Sequence, residues 1–230
     1  MTVYWIAERA EGVPEDDGWL SPREAGVLAG LRVAKRRADW RLGRWTAKRA
    51  VAARLGIAGG LAGIEVLAAP GGQPEVWIGG RRAGIAIALS HSDGMGFCAV
   101  ADHGAIGCDV ERVQVCSGAF VADYFTEAEQ ALVVEAGESG RARMATLVWS
   151  AKESALKVLG CGLRADTREV EVVRVDEVDS GGGWRGLRVR ARSGGIMGGW
   201  WREGDGFIWT LLAPRPRVGR ALTCRVNPVI

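Results

Sequence analysis

The chain has few of the residues on which zinc sites, disulfide frameworks and membrane spans depend. Its 230 residues include two histidines and five cysteines, and no two cysteines form a Cys-x-x-Cys pair. A zinc site is therefore not expected, and the cysteine usage fits a reducing cytoplasm. No stretch approaches the ~20 apolar residues of a membrane span, and the N-terminus lacks the pattern of a signal peptide. We therefore expect a cytoplasmic protein.

Charge is nearly balanced overall but uneven along the chain. The formal net charge is +3, yet residues 21–56 contain ten Lys or Arg and only two acids, Glu24 and Asp39. A basic segment of this kind fits an anionic ligand, and a solvated basic helix face is the alternative. The acidic balance of the remaining residues argues against nucleic-acid binding.

The hydrophobic pattern predicts an α+β fold. Apolar residues at helical spacing predict helices over 38–55 and 143–159. Shorter apolar runs predict strands, which are expected at 3–7, 64–68, 75–78, 85–89, 97–101, 105–110, 168–175, 185–192 and 207–213. The two helices lie about 110 residues apart, and so do two of the apolar strands. We therefore expect two similar halves, an N-terminal one over 1–103 and a C-terminal one over 104–230.

Two carboxylates stand close together in the segment Gly107-Cys108-Asp109-Val110-Glu111. On a strand, Asp109 and Glu111 share one face because side chains alternate between faces. A paired carboxylate face is costly unless something neutralises it, and Mg²⁺ accepts carboxylate and phosphate oxygens together. The alternative is an exposed edge strand on which Arg112 pairs with one acid.

A third carboxylate lies between two lysines in the segment that runs from Trp149 to Lys157. On a helix, Trp149, Glu153 and Lys157 follow one another at intervals of four and stack on one face. Lysines beside a carboxylate suit the oxygens of a metal-bound diphosphate. The alternative is a surface ion pair between Glu153 and Lys157.

A serine-histidine turn, Ser90-His91-Ser92, follows an apolar strand. Hydroxyls and a histidine at a strand end suit a terminal phosphate. A nucleophilic Ser-His pair is the alternative, and the absence of a Gly-x-Ser-x-Gly motif argues against it.

The order of these motifs, over residues 21–163, resembles that of the 4′-phosphopantetheinyl transferases of the surfactin-synthetase-activating type. The resemblance implies two similar α+β halves, related by a pseudo-two-fold axis, around a central cleft. It implies Mg²⁺-dependent transfer of phosphopantetheine from coenzyme A to a serine of an acyl or peptidyl carrier protein, with release of 3′,5′-ADP. A chain that holds both halves is expected to work as a monomer.

The resemblance also assigns roles to residues of this sequence. It implies Asp109, Glu111 and Glu153 as metal ligands, and it implies catalytic roles for Asp109, Glu153 and Lys157. The residues that it implies as contacts of coenzyme A are Arg37, Arg44, Gly72, Gln73, Pro74, Ser90, His91, Lys152 and Lys157. Gln73 stands where the family has a basic residue, so Arg81 or Arg82 is a candidate substitute for that phosphate contact.

Two rival functions use the same features. A Mg²⁺-dependent nucleotide diphosphate hydrolase would use the same carboxylates and lysines with water as the attacking group. A non-catalytic nucleic-acid binder would use the basic face of residues 21–56. The segment 113–135 is a candidate contact for the carrier protein through Val121 and Tyr124, and core packing is the alternative for its aromatic residues.

Overall fold

The structure is a computed structural model that describes residues 1–179 and 182–214. The described residues divide into two compact units, the first spanning Met1–Gly104 and the second beginning at Ala105. Each unit contains helices and sheets, so the expected mixed α/β composition is confirmed. The pseudo-two-fold relation between halves stays a prediction.

The first unit has two three-stranded antiparallel sheets and two helices. Its elements are β1 (Val3–Arg9), α1 (Pro22–Gly30), α2 (Ala34–Leu55), β2 (Ile64–Ala68), β3 (Pro74–Ile78), β4 (Arg81–Arg82), β5 (Ala86–Ser92) and β6 (Met95–Ala101). One sheet has the strand order β1-β6-β5, and the other has the order β2-β3-β4. Helix α2 covers both sheets with its apolar side, and its core positions include Ala47, Val51 and, opposite on the strands, Val66 and Val100.

The second unit is a five-stranded antiparallel sheet with three helices. Its elements are β7 (Gly107–Arg112), α3 (Gly118–Tyr124), α4 (Glu127–Glu135), α5 (Gly137–Val158), β8 (Val170–Asp179), β9 (Arg185–Ala191), β10 (Ile196–Gly204) and β11 (Phe207–Ala213). The strand order is β7-β11-β10-β9-β8. Helix α5 packs on the sheet through Leu147, Val148, Ala151 and Ala155, which are fully buried.

Helix α5 approaches strand β7 unusually closely at Gly107. A Cβ atom at Gly107 would lie 1.9 Å from the backbone carbonyl oxygen of Ser154, which is far inside van der Waals contact. Any side chain at this position would therefore push the helix away from the strand. The glycine that begins the Gly-x-Asp-x-Glu motif is thus explained by packing.

The sequence-based elements are confirmed with two kinds of difference. Helices α2 and α5 begin four and six residues earlier than predicted, and strand β10 was not predicted. Two adjacent glycines, Gly198 and Gly199, weaken the strand pattern of this segment. Gly199 lies in the middle of a central strand. Only glycine fits at this position, because a Cβ atom there would lie 1.8 Å from the Leu211 carbonyl oxygen.

Each unit contains a buried ion pair between its long helix and a shorter one. Lys48 of α2 lies 2.5 Å from Glu24 of α1, and Lys152 of α5 lies 2.5 Å from Glu129 of α4. All four side chains are fully buried. The same pair of residue types therefore joins two helices in both units.

The two glutamates are also bonded in the same way. Each is the third helical residue after its capping residue, Ser21 or Thr126, and completes a reciprocal capping box with it. Each also accepts a backbone N–H from a strand, Val66 for Glu24 and Val172 for Glu129. The buried carboxylates are thus fully engaged by three elements of their unit, which offsets the cost of burying charge.

Candidate metal centre

Three carboxylates from β7 and α5 converge in the second unit. One oxygen each of Asp109, Glu111 and Glu153 lie within 4.8 Å of one another. The strand alternation places Asp109 and Glu111 on the face of β7 that α5 covers, and α5 brings Glu153 to them. Asp109 is fully buried, whereas Glu111 and Glu153 are half-buried. The structure therefore brings together the three residues that the sequence predicted as metal ligands.

Lys157 lies one helical turn beyond Glu153 and faces the same cluster. Its Nζ atom donates to Asp109 Oδ1 at 2.8 Å and to the carbonyl oxygen of Cys108 at 2.9 Å. The distance from Nζ to Glu153 Oε2 is 3.8 Å. One ammonium group can balance only one of the three carboxylate charges, so the cluster keeps an excess of negative charge.

The pKa values of the cluster show how strongly its charges interact. Burial, together with the charge of Asp109, raises the pKa of Glu153 from 4.5 to about 8. Burial disfavours the charged form of Lys157, but the charges of Asp109 and Glu153 outweigh burial and raise the pKa of this lysine. The cluster therefore holds a proton near neutral pH when no cation neutralises it.

The donor set fits a hard divalent cation. Three carboxylate oxygens from two elements can approach one ion, and Mg²⁺ typically takes one or two carboxylates, water and substrate phosphate oxygens. A divalent cation would also replace the proton that Glu153 retains. Asp109, Glu111 and Glu153 are therefore suited to hold Mg²⁺, and Lys157 is suited to an anionic group beside it.

Lys152 is not part of this cluster, contrary to the expectation that it contacts a diphosphate. Its Nζ atom donates to Glu129 and, at 2.8 Å, to the carbonyl oxygen of Val170, and the side chain is fully buried. The rotation of about 100° per helical residue turns Lys152 into the core, while its neighbour Glu153 faces the carboxylates. Lys152 is a structural residue of the second unit.

The segment 113–135 forms α3 and α4, and its side chains divide between core and surface. Val121 and Phe125 are buried in the core, whereas 42% of Tyr124 is exposed. Phe120 and Tyr124 contact the ring of Trp149 with centroid distances of 5.0 and 5.6 Å. Val121 is therefore removed from the candidate surface for a carrier protein, and Tyr124 remains.

The basic residues of α2 are largely engaged within the first unit. Arg37 donates to the carbonyl oxygens of Leu28 and Leu31 at the end of α1. The guanidinium group of Arg44 lies 4.9 Å from the ring centroid of Trp40, and burial lowers its pKa. Arg37 is therefore bonded to the end of α1, contrary to the expectation that it contacts coenzyme A, and Arg44 is the better candidate for an anion contact.

The other predicted contacts of coenzyme A also lie in the first unit. Ser90 and His91 are near the end of β5, where His91 pairs with Gly96 of the neighbouring strand. The turn before β3 contains Gly72, which has a φ of +86°, and Gln73. Pro74 is the first residue of β3. These residues belong to a different unit from the carboxylates, so a single assembled site stays a prediction.

A buried group of three hydroxyls next to the carboxylates was not predicted. Ser150 and Ser154 of α5 bond to Thr210 of β11, and all three side chains are fully buried. Two serines four residues apart on the apolar stripe of a predicted helix were the available signal. Their partner is 60 residues beyond Ser150 and 56 residues beyond Ser154, and no local pattern marks it.

Comparison with known proteins bears on the second unit. Residues 105–194 match the family model described as the 4′-phosphopantetheinyl transferase superfamily. Among solved structures, this chain is similar to the holo-[acyl-carrier-protein] synthase of Thermotoga maritima, with 22% sequence identity and a TM-score of 0.37. The match covers 54% of this chain and 74% of the synthase chain. No curated protein matches the chain. The segment matched by the family model contains Asp109, Glu111, Glu153 and Lys157.

No helix within residues 1–179 and 182–214 is long and apolar enough to cross a membrane.

Proposed function

We propose that this protein transfers 4′-phosphopantetheine from coenzyme A to a serine of an acyl or peptidyl carrier protein, in the manner of the surfactin-synthetase-activating type. The observation that carries the proposal is the convergence of Asp109, Glu111 and Glu153 beside Lys157. The match of residues 105–194 to the transferase superfamily supports it, because the match contains all four residues.

The cluster is suited to a substrate that carries a diphosphate. Asp109, Glu111 and Glu153 would hold Mg²⁺, which when bound neutralises charge on the diphosphate oxygens. Lys157 is already fixed by Asp109 and the Cys108 carbonyl, so its ammonium group can hold a phosphoryl oxygen without reorganising. Positioning and charge neutralisation provide most of the acceleration in such displacements.

The reaction itself is a displacement at phosphorus. The serine oxygen of the carrier forms a bond to the phosphorus atom next to the pantetheine arm. The bond from that phosphorus to the bridging oxygen breaks, and 3′,5′-ADP leaves. The serine proton passes to Glu153 or to a water held by Glu111, since these carboxylates lie at the reacting centre.

The adenosine part of coenzyme A is assigned to the first unit on motif order alone. His91 and Ser90 are the proposed contacts of the 3′-phosphate, and the turn Gly72-Gln73-Pro74 is proposed to border the adenine. Arg44 is the proposed basic contact, because its partly buried guanidinium is held in place by the ring of Trp40.

The experiment that tests the reaction is the intact mass of an apo carrier protein after incubation with this protein, coenzyme A and Mg²⁺. Addition of one phosphopantetheine group is expected. The same incubation without carrier tests the rival hydrolase, which would release 3′,5′-ADP from coenzyme A alone. Release without carrier, and no mass gain with it, would replace the transferase by the hydrolase.

Two variants test the residue roles. Asp109→Ala and Glu153→Gln are each expected to abolish the mass gain while the protein stays folded, because each removes a ligand from the cluster. Glu138→Gln is the matched control, since Glu138 is an exposed residue in the first turn of α5, outside both the cluster and the segment 113–135. Near-normal transfer by either cluster variant contradicts the assignment.

A further inference from the structure

The hydroxyl of Thr210 is the centre of a small buried network between β11 and α5. Thr210 Oγ1 lies 2.9 Å from Ser150 Oγ, 2.7 Å from Ser154 Oγ and 3.0 Å from the backbone carbonyl oxygen of Ser150. Three hydroxyl protons are available for these contacts. Because Thr210 donates to the Ser150 carbonyl, its oxygen can accept from both serines, and Ser154 Oγ also lies 3.4 Å from the carbonyl oxygen of Thr210. We call Ser150, Ser154 and Thr210 the hydroxyl triad.

The triad lies directly beneath the carboxylates. Thr210 is the residue of β11 that pairs with Asp109 of β7, so the two side chains project from the same face of the sheet. Ser150 and Ser154 stand three residues before and one residue after Glu153 on α5. The triad therefore joins the helix that carries Glu153 to the strand beside the one that carries Asp109.

The corresponding place in the first unit has no such network. Counted from the buried lysine of each long helix, Thr46 and Ala50 of α2 correspond to Ser150 and Ser154. The residue of β6 that faces Thr46 is Gly96, where a Cβ atom would lie 2.4 Å from Thr46 Oγ1. Thr46 instead donates to the carbonyl oxygen of Leu42 in its own helix.

The comparison shows that a helix can pack on a sheet at this place without hydroxyl bonds that join the helix to the strand. In the first unit the packed residues carry no carboxylate cluster: the facing pair is Glu8 and Arg49, joined by an ordinary ion pair. The network is present where carboxylates from two elements must reach one ion. Apolar contacts allow a helix to slide by a fraction of an ångström, whereas hydrogen bonds are directional and fix its position.

We propose that the hydroxyl triad positions the carboxylate of Glu153 relative to Asp109 and so sets the affinity of the cluster for a divalent cation. These are positioning residues, because they contact neither the ion nor the substrate. The proposal rests on the proposed function only for the identity of the site as a metal site.

The central test is Thr210→Val, which keeps the shape of the side chain and removes the hydroxyl. Titration calorimetry of the free protein with Mg²⁺, repeated with Mn²⁺, measures the effect. We expect cation affinity to fall by roughly 10- to 100-fold, the usual cost of losing a residue that orients metal ligands. Thr210→Ser keeps the hydroxyl and is expected to restore affinity to within a few fold of the wild-type value.

Two further variants separate positioning from folding. Thr46→Val removes a buried hydroxyl from the equivalent helix of the first unit and is expected to leave cation affinity unchanged. Ser154→Ala introduces the residue that the first unit has at this place, so it is expected to fold and to weaken binding less than Thr210→Val. Thermal unfolding of the metal-free variants shows whether each one is folded at the titration temperature.

The outcomes distinguish this proposal from the proposed function. Equal cation affinity in Thr210→Val and wild-type protein, or an equal loss in Thr46→Val, overturns the positioning role and leaves the transferase assignment intact. Weakened binding in Thr210→Val together with no modification of any carrier supports the positioning role and removes the proposed reaction. Absence of cation binding by the wild-type protein would remove both.

Discussion

The long helices of the two units differ at one decisive position. Lys48 of α2 and Lys152 of α5 are both buried against a capping-box glutamate. The next residue is Arg49 in the first unit and Glu153 in the second. Arg49 forms an ion pair with Glu8 of β1, whereas Glu153 lies beside Asp109 of β7.

The strand registers show that these two pairs occupy equivalent places. Glu8 pairs with Gly96 in the β1–β6 ladder, and Gly96 faces α2. Asp109 pairs with Thr210 in the β7–β11 ladder, and Thr210 faces α5. The same packing of helix on strands thus supports a neutral ion pair in one unit and an acidic cluster in the other.

The electrostatic consequence is visible in the two carboxylates. Burial raises the pKa of Glu8, and the nearby Arg49 holds that rise back. At Glu153 burial acts together with the charge of Asp109, and the pKa rises to about 8. The charge of the residue at position 49 or 153 of the helix therefore decides whether the facing carboxylate is already paired or attracts a cation.

The largest expected effect comes from giving the second unit the residue of the first. Glu153→Arg places a guanidinium beside Asp109, where it can pair as Arg49 pairs with Glu8. Mg²⁺ binding and carrier modification are expected to disappear, with transfer reduced by at least ~10³-fold. Calorimetry and the intact-mass assay measure the two losses.

The fold of Glu153→Arg is expected to survive, because the arginine can form an ion pair with Asp109 in place of a carboxyl group that must hold a proton there. The thermal midpoint should equal or exceed that of the metal-free wild-type protein. The reciprocal variant Arg49→Glu is the control: it should lower the midpoint through repulsion with Glu8 and leave Mg²⁺ binding at Asp109, Glu111 and Glu153 unchanged. Retained cation binding in Glu153→Arg would disprove the equivalence of the two places.

The buried ion pairs provide the next test of the comparison. Lys48→Met and Lys152→Met each leave a buried glutamate without its cation, which typically lowers the free energy of unfolding by about 3–5 kcal/mol. Denaturant titration of both variants should show losses of similar size. A double change of Lys152→Met with Glu129→Leu should recover much of the loss, because no uncompensated charge remains. A large loss in one unit and none in the other would show that the pairs are not equivalent.

The close approach of α5 to β7 predicts a smaller loss of stability. Gly107→Ala places a Cβ atom against the Ser154 carbonyl, and overpacking of this kind typically costs about 1–3 kcal/mol. Gly26→Ala is the matched control, since no atom lies within 4 Å of its added Cβ. Because alanine favours a helix over glycine, Gly26→Ala should stabilise the protein by up to about 1 kcal/mol. Equal effects of the two changes in denaturant titrations would contradict the packing explanation for Gly107.

The candidate metal ligands could be predicted from the sequence because their spacing follows local strand and helix periods. Asp109 and Glu111 follow the strand period, and Glu153 and Lys157 follow the helix period. Each pair therefore shares a face before any tertiary contact is known. The motif order then indicated that the two faces meet, and the structure brings them together.

The partners of buried polar groups could not be predicted in the same way. Lys152 follows Ala151 on the buried side of α5, but its partner Glu129 has only the local pattern of a capping box. Thr210 lies in an apolar strand with no polar neighbour that points to Ser150 or Ser154. These contacts depend on tertiary packing, which the helix and strand periods do not specify.

The smallest expected effect concerns the pH dependence of the metal-free protein. Glu153 has a pKa of about 8 in the folded state and its ordinary value of 4.5 when unfolded. Between these values the folded state holds one more proton than the unfolded state. The free energy of unfolding should therefore fall as pH rises, by on the order of 1 kcal/mol per pH unit. Denaturant titrations at pH 6, 7 and 8 should show this slope in the wild-type protein and a shallower one in Glu153→Gln.

The same titration predicts how the cation competes with the proton. Below pH 8, Mg²⁺ binding must displace the proton from Glu153, so affinity should rise with pH and about one proton should be released per ion bound. Calorimetry in two buffers with different ionisation enthalpies counts that proton. Glu8 offers the internal comparison, because its partner is the guanidinium group of Arg49 rather than a second carboxylate. Proton release that persists in Glu153→Gln would place the titrating group elsewhere and end the distinction drawn between the two units.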